Sequence, residues 1–132
     1  MLRPIRQRTT ADCGLAALAM YLERTYAECK TASAALWPDV KRTSGGYHGK
    51  DLVQLGHALG VDLERRPKSL TYLHRASGVL GVLGKQLAPS GHWVAYVEGM
   101  IIDPHDGAVW PCALDYLLQH QARPAMLITR QR

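Results

Sequence analysis

The spacing of apolar residues changes half-way along the chain, and that change limits the folds open to it. Leu15, Leu18, Ala19 and Leu22 recur at the interval of a buried helical stripe, as do Leu52, Leu55 and Leu59. Beyond Gly60 the pattern gives way to short β-branched or aromatic segments, VDLERR, GVLGVLG, HWVAYV, MIID and AMLIT, separated by glycine and proline. Helical patterns followed by strands predict an α+β domain, with N-terminal helices packed on an antiparallel sheet. Aspartate is a preferred N-cap, so Asp12 sets the start of the first helix at about Cys13. A second helix is expected from about Lys30 to Trp37, before Pro38. The third should end at Gly60 in a left-handed cap, and a fourth is expected from Ala113 to Gln119. KRTSGGYHG reads as a loop.

No repeat, low-complexity tract or linker divides the sequence, so residues 1–132 are read as one domain. A hydrophobic content of 47% with 20% charged residues is a globular balance. The net charge of +5 invites a nucleic-acid partner, but the basic residues are scattered from Arg3 to Arg132 and form no stripe on a helix face, which argues against one. The basic start followed by CGLAALAMYL imitates a signal peptide. No small-residue cleavage site follows it, and no stretch approaches the roughly 18 apolar residues of a membrane span. A cytoplasmic location is therefore expected.

Three cysteines, Cys13, Cys29 and Cys112, contain no C-x-x-C pair, so neither a disulfide framework nor a zinc knuckle is indicated. The six histidines include no H-E-x-x-H or comparable spacing, and GVLGVLGK lacks the phosphate-loop pattern. Neither a metal nor an organic cofactor is expected. The glycines of that run are read as places where a peptide backbone could approach the sheet.

The residues that carry chemistry lie at two places. The thiolate is the reactive form of cysteine, and the unpaired amides at a helix N-terminus favour it; Cys13 occupies such a position. Gly14 leaves room for a substrate carbonyl, and the Cys13 amide could donate to an oxyanion. Gln7 supplies a second donor if the RTTAD segment curls back over the helix end. Further on, HWVAYV and MIID flank Glu98-Gly99, a two-residue hairpin turn. In that register position 97 faces 100 and 92 faces 105, so 103 is the diagonal neighbour of 92 on one face. His92 and Asp103 can then touch, and a carboxylate beside an imidazole is the orienting partner of nucleophile–base–carboxylate triads.

QRTTADCGLAAL, GYHGKDLVQLGHALGV and GHWVAYVEGMIIDPHDG together resemble the double-glycine, bacteriocin-processing cysteine peptidases, usually fused to peptide-exporting ABC transporters. The resemblance covers most of the chain and implies a papain-like α+β fold. It implies catalytic roles for Gln7, Cys13, His92 and Asp103, a peptide or protein substrate, and cleavage of a peptide or isopeptide bond through a thioester on Cys13. The alternative is a catalytically silent module that keeps the peptidase fold and binds a peptide or protein without cutting it.

Overall fold

The computed structural model describes residues 2–38, 46–66, 76–84, 87 and 91–131. In chain order the elements are α1 (Cys13–Leu22), α2 (Tyr26–Leu36), α3 (Gly49–Ala58), β1 (Leu63–Arg66), β2 (Ser77–Gly84), β3 (His92–Val97), β4 (Met100–Asp103), β5 (Ala108–Trp110), α4 (Ala113–Gln119) and β6 (Ala122–Arg130). The six strands form one sheet in the order β1-β6-β2-β3-β4-β5. Every pairing in it is antiparallel. The fold is α+β, as the pattern of the sequence predicts.

The apolar stripes are buried on both faces of the sheet. On one side of the sheet Leu15, Leu18 and Leu22 of α1 pack with Leu52 and Leu55 of α3 and with Val79 and Ile128 of the sheet. Every residue of α1 after Cys13 is buried, because α1 lies between the sheet and the other two N-terminal helices. On the other side Leu80, Val94, Tyr96, Ile101 and Leu127 pack against Ala113 and Tyr116 of α4. Neighbours in β2 thus serve opposite cores, Val79 one and Leu80 the other, and a strand buried on both faces reads as an unbroken apolar run.

Three sequence expectations need correction. The second helix starts at Tyr26 rather than about Lys30, because Thr25 and Glu28 form a capping box: the Glu28 amide donates to the Thr25 hydroxyl, and the Thr25 amide donates to the Glu28 carboxylate. A short strand, β5, lies where none was expected. The glycines of β2 admit neighbouring protein rather than a substrate: a Cβ on Gly78 would lie 2.2 Å from the Ile128 carbonyl oxygen, and one on Gly81 would lie 3.0 Å from the Trp93 ring.

The third helix ends as expected. Gly60 is left-handed at φ +84°, and the Val61 and Gly60 amides donate to the Gly56 and His57 carbonyls, a Schellman pair. Of the expected KRTSGGYHG loop, residues 41–45 lie outside the described residues, and 46–48 carry no regular structure.

Candidate active site

The β3–β4 turn has both central residues at positive φ, Glu98 at 44° and Gly99 at 91°, the geometry that suits a two-residue hairpin. The ladder then pairs Val97 with Met100, Tyr96 with Ile101 and Ala95 with Ile102. That register carries His92 and Asp103 to the same face at the open end of the hairpin. His92 Nε2 and Asp103 Oδ1 are 2.7 Å apart, and both side chains are over nine-tenths buried. The same imidazole interacts electrostatically with Cys13, the half-buried first residue of α1.

Burial alone would make the His92 imidazolium less stable. The hydrogen bonds to Asp103 and to Cys13, together with their negative charge, outweigh burial and push the pKa of His92 up to about 9. The His92 ring is therefore charged at neutral pH. Asp103 is also desolvated by burial, which by itself favours the neutral acid. Its bonds to His92, to the His105 amide and to the Tyr116 hydroxyl overcome this and hold the carboxyl below its ordinary range. The acceptors divide cleanly: Oδ1 takes His92 and the His105 amide at 2.9 Å, while Oδ2 takes the Tyr116 hydroxyl at 2.9 Å.

Asp12 does not cap α1 through its side chain. Its carboxylate turns back instead and accepts the Arg8 and Thr9 amides at 3.0–3.1 Å and the Tyr26 hydroxyl in a short bond. The buried carboxylate thereby folds residues 8–12 into a turn ahead of Cys13. The helix-end curl required of the RTTAD segment is present, with Asp12 as its organiser.

Gln7 lies beside Pro104, the residue after Asp103, but its side chain is not presented as a free donor. Its backbone amide donates to the Pro104 carbonyl at 2.7 Å, tying the N-terminal segment to the end of β4. Its side-chain NH₂ donates to the Thr9 carbonyl at 2.9 Å, and its Oε1 is buried without a partner. Gly14 likewise serves packing rather than substrate access, since a Cβ there would lie 3.0 Å from Trp93 and 3.1 Å from the Tyr47 Cβ. The Trp93 indole also donates to the Tyr47 carbonyl at 2.7 Å, fixing the strand residue next to His92.

Tyr116 and Tyr26 are the polar partners that sequence reading missed. Each follows an ordinary apolar spacing, and nothing local marks its hydroxyl as the donor to a carboxylate more than ten residues away. The other cysteines sit in different surroundings: Cys29 is fully buried, with its thiol pushed up to about 11 by burial, and Cys112 is exposed. Among the described residues no group of His, Cys, Asp and Glu is arranged to hold a metal, and no helix is long and apolar enough to cross a membrane. A cavity of about 750 Å³ between the N-terminal segment and the far end of α1 has Ile5, Arg8, Met20 and Tyr26 in its lining, but none of Cys13, His92 and Asp103.

No family model and no curated protein matches the chain by sequence. Solved structures do match it. The peptidase domain of Streptococcus ComA, a bifunctional ABC transporter involved in quorum sensing, superposes with a TM-score of 0.67 at 17% identity, over 98% of both chains. A double-glycine-motif protease from an AMS/PCAT transporter, in complex with its leader peptide, gives a TM-score of 0.70 at 15% identity, over 98% of this chain and 91% of that one. This chain has the papain-like α+β fold of these ABC-transporter peptidase domains.

Proposed function

We propose that the chain is a cysteine peptidase with Cys13 as nucleophile, His92 as its acid and base, and Asp103 as the group that orients His92. The single observation that carries this reading is a buried His92 whose Nε2 lies 2.7 Å from Asp103 Oδ1 and whose imidazole also interacts with the Cys13 thiol at the start of α1. In this reading His92 takes the Cys13 proton, giving an ion pair. The thiolate attacks the scissile carbonyl carbon, and the imidazolium passes its proton to the departing amine as the C–N bond breaks, leaving a thioester. Neutral His92 then takes a proton from water, whose oxygen adds to the thioester, and collapse frees the carboxylic product and restores the ion pair. The Cys13 amide holds the oxyanion, joined by the Gln7 side chain once it releases the Thr9 carbonyl.

The substrate class is a peptide cut after a double-glycine-type site, or an isopeptide of similar small-residue chemistry. A leader peptide bound to one structural relative supports the peptide class. Free thiols on all three cysteines accord with action in a reducing, cytoplasmic setting.

One observation favours the alternative of a module that binds without cutting. The Gln7 NH₂ donates within its own turn, so the second oxyanion donor is not preset. A fluorogenic peptide ending in Gly-Gly-aminomethylcoumarin separates the two. The peptidase reading requires release that falls by roughly a thousandfold or more in Cys13→Ala. Release no faster than with Cys13→Ala, together with measurable binding of the peptide, establishes the binding module.

A further inference from the structure

The Asp103 side chain is 7% exposed, and a carboxylate so buried must have both oxygens satisfied. His92 and the His105 amide account for Oδ1 alone. Oδ2 receives the hydroxyl of Tyr116, a residue of α4 with no solvent exposure. We propose that Tyr116 is a positioning residue for the triad, whose hydroxyl locks the rotation of the Asp103 carboxylate so that Oδ1 stays directed at His92.

The claim rests on the peptidase reading for its functional meaning, but its geometry is independent of turnover. Rotation of a carboxylate about its last torsion is broad and soft, so a single ring nitrogen on Oδ1 does not fix it. A second donor on the other oxygen does. The Tyr116 ring is itself immobilised, with Trp110 edge-on at 5.4 Å and the His120 ring at 4.1 Å between centroids. The His120 Nδ1 and amide both return to the Tyr116 carbonyl, at 2.9 and 3.0 Å, closing the end of α4 around it. Burial first, then the negative charge of Asp103, keeps the phenol protonated far above its ordinary range, so it remains a donor wherever His92 titrates. The other charged groups that act on it, Asp106 and Cys13, push the same way.

Two effects of Tyr116→Phe on His92 oppose each other, and their signs differ. Removing the hydroxyl takes away a dipole that partly neutralises the carboxylate, which would raise the pKa of His92. Freeing Oδ2 lets the carboxylate rotate or take up water, which weakens the Oδ1 bond and lowers it. Positioning requires the second to win.

The test is an NMR titration of ¹³C-labelled histidine in the full chain, with the His92 resonance assigned by its loss in His92→Ala. The expected result in Tyr116→Phe is a midpoint about one unit below that of the wild type, a tenfold change in the protonation equilibrium. In an Asp103→Asn background the same substitution should move the midpoint by less than a third of that, because Tyr116 acts through Asp103. An unchanged or raised midpoint in a folded Tyr116→Phe overturns the proposal. If that variant does not fold, the wild-type hydroxyl proton decides. A slowly exchanging downfield resonance that shifts as His92 titrates supports the lock, and one insensitive to that titration removes it. Failure of the peptidase reading is separately visible, as a shifted midpoint with no cleavage of the Gly-Gly coumarin peptide.

Discussion

His92 and Asp103 are diagonal rather than opposite neighbours across the β3–β4 hairpin, and their 2.7 Å contact depends on the two-residue turn at Glu98 and Gly99. Side chains alternate between faces with period two, so one added residue reverses the face of everything beyond the turn. A glycine inserted between Glu98 and Gly99 is expected to turn Asp103 away from His92. The His92 midpoint, followed by NMR, should then fall from about 9 toward the ordinary value near 6.5. A midpoint left near 9 in the folded insertion variant would mean that Asp103 is not what holds the charge.

The raised pKa of His92 fixes the sign of two pH effects. The folded state favours the imidazolium, so the stability this group contributes is fully present below its unfolded value of about 6.5 and is lost as pH rises through about 9. Urea midpoints compared at pH 6 and pH 10 should fall more in the wild type than in His92→Gln. In the proposed mechanism the imidazolium protonates the leaving amine, so kcat/KM on the coumarin peptide should decline above pH about 9.

Tyr26 donates to the buried Asp12 carboxylate that holds the turn ahead of Cys13. Tyr26→Phe leaves that oxygen short of a donor at little cost in volume. The expected loss is about 1–3 kcal/mol of stability, read from urea unfolding, since the buried charged oxygen keeps only the Arg8 amide. Arg8 should also become more accessible to limited proteolysis, because the Asp12 carboxylate that accepts the Arg8 and Thr9 amides is then held less firmly.

Gly78 allows β2 and β6 to approach so closely that no side chain fits. A methyl group there meets the Ile128 carbonyl at 2.2 Å, and a backbone atom in a paired strand cannot swing aside. Gly78→Ala should cost more than about 3 kcal/mol or prevent folding. Gly60→Ala meets no atom within 4 Å and is limited to the strain of its positive φ, about 1 kcal/mol. Thermal unfolding of the pair distinguishes close approach from backbone conformation.

Much of this architecture is legible in local sequence because its determinants are local. Leu15 to Leu22 announce a helix by period, Gly60 announces its neighbour's end by handedness, and Glu98-Gly99 sets a register that places His92 beside Asp103 by counting alone. The start of α2 is legible too, in the Thr25–Glu28 spacing, because a capping box is a local signal. The remainder depends on contacts between residues distant in sequence. Tyr116 reaches Asp103 only because α4 packs on the opposite face of the sheet from α1, and no periodicity within the helix reports that. Asp12 has the composition of an N-cap but is drawn backward by Tyr26, a partner fourteen residues on. Gly14 and Gly81 owe their identity to the indole of Trp93, which the sequence places in a strand without saying what it covers.

The central claim is that Cys13 and His92 form a reactive ion pair, and the other two cysteines make its test internal to the molecule. The folded protein is treated with limiting iodoacetamide from pH 5 to 9, and each thiol is quantified by mass spectrometry in the wild type and in His92→Ala. The account predicts that below pH 7 Cys13 labels far faster than exposed Cys112 and buried Cys29, and that His92→Ala abolishes the advantage. Labelling of Cys13 at the rate of Cys112 across that range, unchanged by His92→Ala, would contradict it.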